Sequence, residues 1–317
     1  MSLTQALVSA ISGLKVNQTG LALVAANVAN ANTPGYVRKT VIQVTTAGND
    51  TGMGVRISAV QRELDTYVQR QLRVENSGAS YADTRAQMYQ QLQDVYGTPG
   101  SGNTLETVYN NFTNALQALS TSPDDPAARS AVISSAQLLA QQLNQTSDRI
   151  QGLRGDVELG IADAVTKANE AMSQIALLNE RIASSNQSDG AAATLLDQRD
   201  FYVDQLSQLM DINIVKTDGN QINVFTNSGV QLVGTEASQI SFDAQGTMTA
   251  VSRWSADPLQ RTVGTLALTS ADGSAIDLVQ ANAVRSGQIA AYLQMRDHDL
   301  VQAQAQIDAI ADRKSVV

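Results

Sequence analysis

A chain of 317 residues has room for about two domains, and its 43% hydrophobic residues with only 4% aromatics imply a core built mainly from Leu, Ile, Val and Ala. The absence of cysteine excludes disulfides, thiolate metal sites and a cysteine nucleophile. A net charge of −9 speaks against nucleic acid as a partner, because phosphate neutralisation by Lys and Arg supplies most of that affinity.

The first 36 residues are the most strongly patterned. Leu3, Leu7, Ala10, Leu14, Asn17, Leu21, Val24 and Val28 step by four and three, the spacing of a coiled-coil seam. Lys15 is the one charge among the first 30 residues, so the helix predicted over 3–30 is too apolar to stand solvated on all sides and needs a partner. Gly13 and Gly20 lie off the seam and each costs about 1 kcal/mol against Ala. Pairing outweighs that, since each buried Leu contributes roughly 1.5–3 kcal/mol. No unbroken apolar run reaches the roughly 18 residues of a membrane span, so no membrane insertion is expected. Asn27 interrupts the stretch Leu21–Ala26 too early for a signal-peptide core.

The helix runs into Asn27-Val28-Ala29-Asn30-Ala31-Asn32-Thr33-Pro34-Gly35-Tyr36. Asn30 and Asn32 favour caps and turns, Pro34 biases Thr33 away from the helical region, and Gly35 is free to take positive φ. Val37–Thr46 and Val55–Ile57, with Gly52 and Gly54 around Met53, read as strands. A helix is expected from about Glu63 to Tyr96, stopped by Gly97-Thr98-Pro99-Gly100-Ser101-Gly102. Asn103 or Thr104 caps the next, to about Leu119, and Pro123-Asp124-Asp125-Pro126 opens another over 126–150. Val157, Ile161, Ala164, Ala168, Ala171, Ile175, Leu178 and Ile182 form a second four-three seam, and a further helix follows to about Met210.

From Ile212 to about Leu278 the pattern changes to short alternating runs split by Asp218-Gly219-Asn220, Asn227-Ser228-Gly229, Gln245-Gly246 and Asp272-Gly273, which are hairpin signals. Helical spacing returns at about 281, with Ile289, Leu293, Leu300, Ala303, Ile307 and Ile310. The fold class is therefore α+β and mainly α: long coiled-coil-like helices with a small inserted all-β domain. The expected domains are 1–36, an N-terminal helix and turn; 37–211, a mainly helical body with short extended segments; 212–280, the inserted β domain; and 281–317, a returning helix that stops in mid-pattern.

Charge is unevenly spread. Residues 1–73 carry seven Lys/Arg and three Asp/Glu, net +4, which leaves −13 on the remainder. Catalytic chemistry finds little support. Asp197 and Asp200 share a helix face at i, i+3 with no base or metal beside them in sequence, so an ion pair or cap is the expected role. His298, the single histidine, sits between Asp297 and Asp299, but adjacent helical residues do not face one another and form no metal site. Gly52-Met53-Gly54 lacks the spacing of a phosphate loop. No catalytic, cofactor or metal residue is assigned.

Two stretches resemble a known family. The helix with Ser12-Gly13-Leu14, followed by Ala26, Asn27, Ala29, Asn30, Asn32, Thr33, Pro34, Gly35 and Tyr36, is similar to the N-terminal signature shared by bacterial flagellar axial proteins of the rod, hook and hook-associated classes. Ala26 stands where that signature usually has its first Asn. Leu195, Leu196, Asp197, Gln198, Arg199 and Asp200, with Thr194 in place of an Asp, resemble a segment of the flagellar hook-associated protein 1 family, the hook–filament junction subunits. The resemblance implies a structural, non-enzymatic subunit exported unfolded through the flagellar type III apparatus, with an export chaperone. It implies assembly with copies of itself at the hook tip, as an extracellular adaptor between hook protein and the next hook-associated protein. It also implies a second apolar helix at the C-terminus to pair with residues 3–28; none is found, so the chain reads as truncated and the seam as free for self-association. The alternatives are another axial component of rod or hook, or a secreted or cell-surface coiled-coil binding module.

Overall fold

The structure is a computed structural model and describes residues 3–46, 54–98, 100–102, 104–185, 190–245 and 247–315. Expectations placed on Gly52, Met53, Pro99, Asn103 and Gly246 lie outside these residues. In chain order the elements are α1 (Leu3–Ala29), β1 (Lys39–Thr46), β2 (Gly54–Arg62), α2 (Thr66–Tyr96), α3 (Leu105–Thr121), α4 (Pro126–Ser184) and α5 (Gly190–Leu209). There follow β3 (Ile212–Lys216), β4 (Ile222–Thr226), β5 (Gln231–Val233), β6 (Gln239–Phe242), β7 (Leu266–Thr269) and β8 (Ala275–Asp277), then α6 (Gly287–Gln294) and α7 (Leu300–Ser315), joined by a π-helical turn at Met295–Asp299. Helix makes up 62% of the described residues, beside a few small antiparallel sheets, so the mainly α, α+β class holds.

The chain divides into two units. One comprises Met1–Ser77, Lys167–Ile240 and Leu268–Ala275; the other comprises Gly78–Thr166, Ser241–Ala267 and Ile276–Val317. In the first, β1 and β2 form an antiparallel hairpin with a bulge between Ile42 and Gln43, and β3-β4-β5 form a three-stranded sheet. Asn179 on α4 clamps the first residue of β4. Its Nδ2 donates to the Ile222 carbonyl at 2.7 Å, and its Oδ1 accepts from the Ile222 N–H at 3.2 Å. Asn169, ten residues earlier on the same helix, holds Ile240 of β6 in the same way, at 2.7 and 2.8 Å.

Local chemistry sets the helix ends. Asp65 Oδ1 accepts from the N–H groups of Tyr67 and Val68, so α2 begins at Thr66 and not at Glu63. Thr104 caps α3 through its hydroxyl, and Asp125 Oδ1 accepts from Ala127 N–H at the start of α4.

The largest departure from expectation is α4. It does not stop near residue 150 but runs 59 residues as one helix. The seam continues through Ile150, Arg154, Val157 and Ile161, and an arginine fills the position that makes the pattern look interrupted. Arg154 is fully buried. Its Nη1 donates to Gln151 Oε1 and to the Thr249 carbonyl, and its Nη2 to the Ser252 carbonyl. Burial lowers its pKa. One turn on, buried Glu158 bonds Arg296 from the π-helical turn at 2.9 Å, and Arg296 also donates to the Gly264 carbonyl and to Asp297. The irregular stretch between β6 and β7 is thus held by buried side chains in place of a strand ladder.

The second seam is core throughout: Val157, Ile161, Ala164, Ala168, Ala171, Ile175, Leu178 and Ile182 are all buried. In the third, Ile289, Leu293, Leu300, Ala303 and Ile307 are buried and Ile310 is half-buried. Replacing Ile175 by Ala should cost about 3 kcal/mol through the cavity left behind. Replacing its neighbour Leu177, which is 39% exposed, should cost under about 1 kcal/mol. Urea denaturation of the two variants followed by far-UV circular dichroism measures the difference.

Candidate functional site

α1 has two unlike faces. Ser12, Val16, Gly20 and Asn27 turn toward the hairpin, and Val16 is buried there. The close approach is at Ser12 and Gly54: Ser12 Oγ accepts from the Val55 N–H at 3.1 Å, and a Cβ on Gly54 would sit 3.2 Å from that oxygen, whereas Val41 Cγ2 lies an ordinary contact distance of 4.0 Å from where a Cβ on Gly20 would stand. The seam occupies the other face. Leu3, Leu7, Ala10, Leu14, Asn17, Leu21, Val24 and Val28 are all exposed, Leu3 to 90% and Val28 to 73%.

The same helix corrects the sequence expectation about membrane spans. Ala6–Ala29 is long and apolar enough to cross a membrane by length and composition, with a mean hydropathy of 1.2. Asn17, Gln18 and Thr19 break the apolar run without lowering that mean below the level of a span. Length and hydropathy carry no more than that, and this helix commits its Ser12 and Asn27 side chains to the hairpin.

The turn after α1 is organised by Asn27. Its Nδ2 donates to the Lys39 carbonyl at 2.9 Å, while its Oδ1 accepts from the Lys39 N–H at 3.0 Å and from the Tyr36 hydroxyl at 2.9 Å. A side-chain amide thus stands in for the strand that β1 lacks at its first residue. Asn30 donates from Nδ2 to the Ala26 carbonyl and accepts from Thr33 Oγ1, which closes the helix end. Gly35, at φ 78°, presents its bare Cα to Phe201 of α5; a Cβ there would sit 3.4 Å from that ring. Ala29, Asn32, Thr33 and Pro34 are exposed.

The two sequence motifs meet through the hairpin. Lys39, 5% exposed, places Nζ 2.6 Å from Asp197 Oδ2 and 4.3 Å from the centre of the Tyr36 ring. Arg62 places Nε 2.8 Å from Asp197 Oδ1 and Nη2 2.5 Å from Asp200 Oδ2. Both contacts to Asp197 are charge contacts whose angles fall outside hydrogen-bond geometry. Arg73 of α2 continues the ladder, with Nη2 3.2 Å from Asp200 and Nε 2.6 Å from Asp204. Arg199 turns the other way, to Asn179 Oδ1 and the Asn220 carbonyl. Leu195 and Leu196 are half-buried, and Gln198 is exposed.

Electrostatics follow the geometry. Burial works to raise the Asp200 carboxyl, but Arg62, Arg73 and Arg199 outweigh it and hold it below the ordinary carboxylate range. Burial raises Asp204, which Arg73 offsets only in part. Burial pulls Arg199 down to about 10 against the attraction of Asp200, which still leaves it charged at neutral pH. Beside the ladder lies a cleft of about 570 Å3, lined among others by Leu23, Pro34, Tyr36, Arg181, Phe201 and Tyr202. Among the described residues no group of three or more His, Asp or Glu could hold a metal ion.

Sequence reasoning missed Lys39, Arg62 and Arg73. Their signal was the +4 balance of residues 1–73 set against acidic α5, since two cations within short β-branched strands ask for nearby anions.

A sequence model described as flagellar hook-associated protein FlgK helical domain matches residues 89–313. The chain belongs to the FlgK family. A second model, flagella basal body rod protein, matches residues 7–36, which hold most of α1 and the Asn27-centred turn. Flagellar hook-associated protein 1 of Escherichia coli is 31% identical over 313 residues, 96% of this chain and 54% of that protein. Its counterpart in Bacillus subtilis is 34% identical over 225 residues, 66% of this chain and 44% of that one. The solved structure of the flagellar hook junction protein FlgK from Burkholderia pseudomallei aligns with a TM-score of 0.64 at 31% identity, covering 76% of this chain and 41% of that one. This FlgK-family chain spans about half the length of the curated relatives it matches.

Two tests address the site. Asn27→Ala should cost about 2 kcal/mol by leaving the Lys39 peptide groups unpaired, and the Lys39 amide should exchange faster with deuterium. Asn27→Asp keeps the acceptor but not the donor and should fall between. Because the folded state holds Asp200 below its unfolded value near 3.9, its contribution is complete above about pH 4 and is lost as pH falls through the folded value. Asp204, raised on folding, works in the opposite sense. Asp200→Asn should therefore flatten the acid limb of a stability–pH curve and Asp204→Asn steepen it, as read by urea midpoints between pH 5 and 2.

Proposed function

We propose that this chain is a structural subunit of the bacterial flagellum, exported by the flagellar type III apparatus and assembled at the hook tip as an adaptor between hook and filament. The observation that carries this reading is the match to the FlgK helical domain over 89–313, joined to a rod-protein signature over 7–36 that falls on an exposed apolar helix face. A face of Leu3, Leu7, Leu14, Leu21, Val24 and Val28 is too apolar to remain in water and suits burial by other protein in an assembly.

In this reading α1 packs among axial subunits and the seam is covered by protein, not lipid. The partners are copies of itself, hook protein, the next hook-associated protein, and an export chaperone with the export apparatus. The site is one of positioning: the Asn27 clamp and the charge ladder fix the direction in which the seam leaves the body. No catalysis is assigned to it, and the protein works outside the cell.

Secretion tests the proposal. The protein should reach the culture medium only from cells with a working flagellar export apparatus, with its N-terminal mass intact, and immunolabelling should place it between hook and filament. Leu14→Asp with Leu21→Asp should leave export unchanged and abolish incorporation. Export that persists without the apparatus would overturn the reading.

A further inference from the structure

α1 is attached to its unit through two successive packings: α1 on β1 and β2, and β2 on α5. The first is neutral. It consists of buried Val16, the Ser12–Val55 bond, the Asn27 clamp on Lys39 and the β1–β2 ladder itself. The second joins Gly35 against the Phe201 ring to a set of charges: Lys39 and Arg62 on the hairpin side, Asp197 and Asp200 on the α5 side.

We propose that α1 and the β1–β2 hairpin form one arm, and that the Asp197–Asp200 ladder is its catch: neutralising these two carboxylates releases the arm from α5 while the helices stay folded. Asp197 is faced by Lys39 of β1 and Arg62 of β2. Asp200 is faced by Arg62, by Arg73 of α2, and by Arg199 and the like charge of Asp204 on α5 itself. With both carboxylates neutral, buried Lys39 and half-buried Arg62 become cations without an anion, a state costlier than their full hydration. Swinging the hairpin outward hydrates both at once. Inside the arm the bonds join amides and hydroxyls, and at its base Glu63 accepts from Thr40 Oγ1 at 2.9 Å, a bond that ties β1 to the link and not to α5. The pivot is the short link at residues 63–65, since α2 keeps its own hold on α5 through Arg73 and Asp204. The catch thus decides whether the exposed seam points in one direction or samples many.

The chain has no cysteine, so two introduced ones report a single distance. Gln61→Cys on β2 and Gln205→Cys on α5 are exposed positions suited to spin labels. At neutral pH pulsed electron paramagnetic resonance should give one narrow distance. Adding Asp197→Asn and Asp200→Asn should replace it with a broad, longer distribution while far-UV circular dichroism is unchanged. A narrow distance retained in that variant overturns the proposal. Should the variant lose its helices, the single Asp197→Asn variant, which leaves the Arg73–Asp204 hold in place, decides. Broadening with the helical signal retained supports the catch, and a narrow distance, or broadening with simultaneous loss of the helical signal, overturns it.

Discussion

A primary amide carries the donor and acceptor of a peptide group on one side chain, and this fold uses that equivalence repeatedly. Asn27, Asn169 and Asn179 each stand on a helix and bond both the N–H and the carbonyl of one residue in a strand: Lys39, Ile240 and Ile222. The strands are only three to nine residues long, and a short strand on a long helix leaves peptide groups facing away from any sheet partner. Unpaired, each would cost about as much as a lost buried hydrogen bond. Asparagine satisfies them without adding a strand, which is how so helical a chain keeps its small β elements in place. Asp could not substitute, having no donor, and Gln would reach one bond too far.

Much of this was legible in the sequence and some was not, for identifiable reasons. Helices with an unbroken four-three step were visible because each apolar residue reports its own burial. The turn at Asn30–Tyr36 was visible because Pro34 and Gly35 restrict the backbone locally. Asn27 reads in the sequence as a residue that ends the helix and sets the turn; that it does so through Lys39, twelve residues away across the turn, is not legible there. The acidic side of the ladder was legible as an ion pair at Asp197 and Asp200, but its cations were not, because the pairs join residues as far apart as Arg62 and Asp200 and one sequence gives no means of choosing among 21 cations and 30 acids. The continuity of α4 was hidden by Arg154, a charged residue in a seam position made tolerable by the Thr249 and Ser252 carbonyls.

Three seams of the same spacing therefore have two fates. Those of α4 and of α6–α7 close against neighbouring elements and form the core, whereas the seam of α1 faces outward because its helix turns another face to the hairpin instead. Spacing alone says that a helix has an apolar stripe. Whether the stripe serves the chain's own interior or faces outward is decided by the residues beside it, here Ser12, Val16, Gly20 and Asn27.

Arg62 meets Asp200 across 138 residues, and Arg296 meets Glu158 across the same separation. Each pair closes one of the two units. Loop closure over such spans must precede any reward from the contact. A chain that emerges N-terminus first would hold its hairpin and Asn27 clamp early, yet it could not seat them until α5 had followed. Its stretch between β6 and β7 would wait in turn for Arg296. The order of emergence thus becomes an order of maturation, in which the apolar first helix is free the longest before the body that aims it exists.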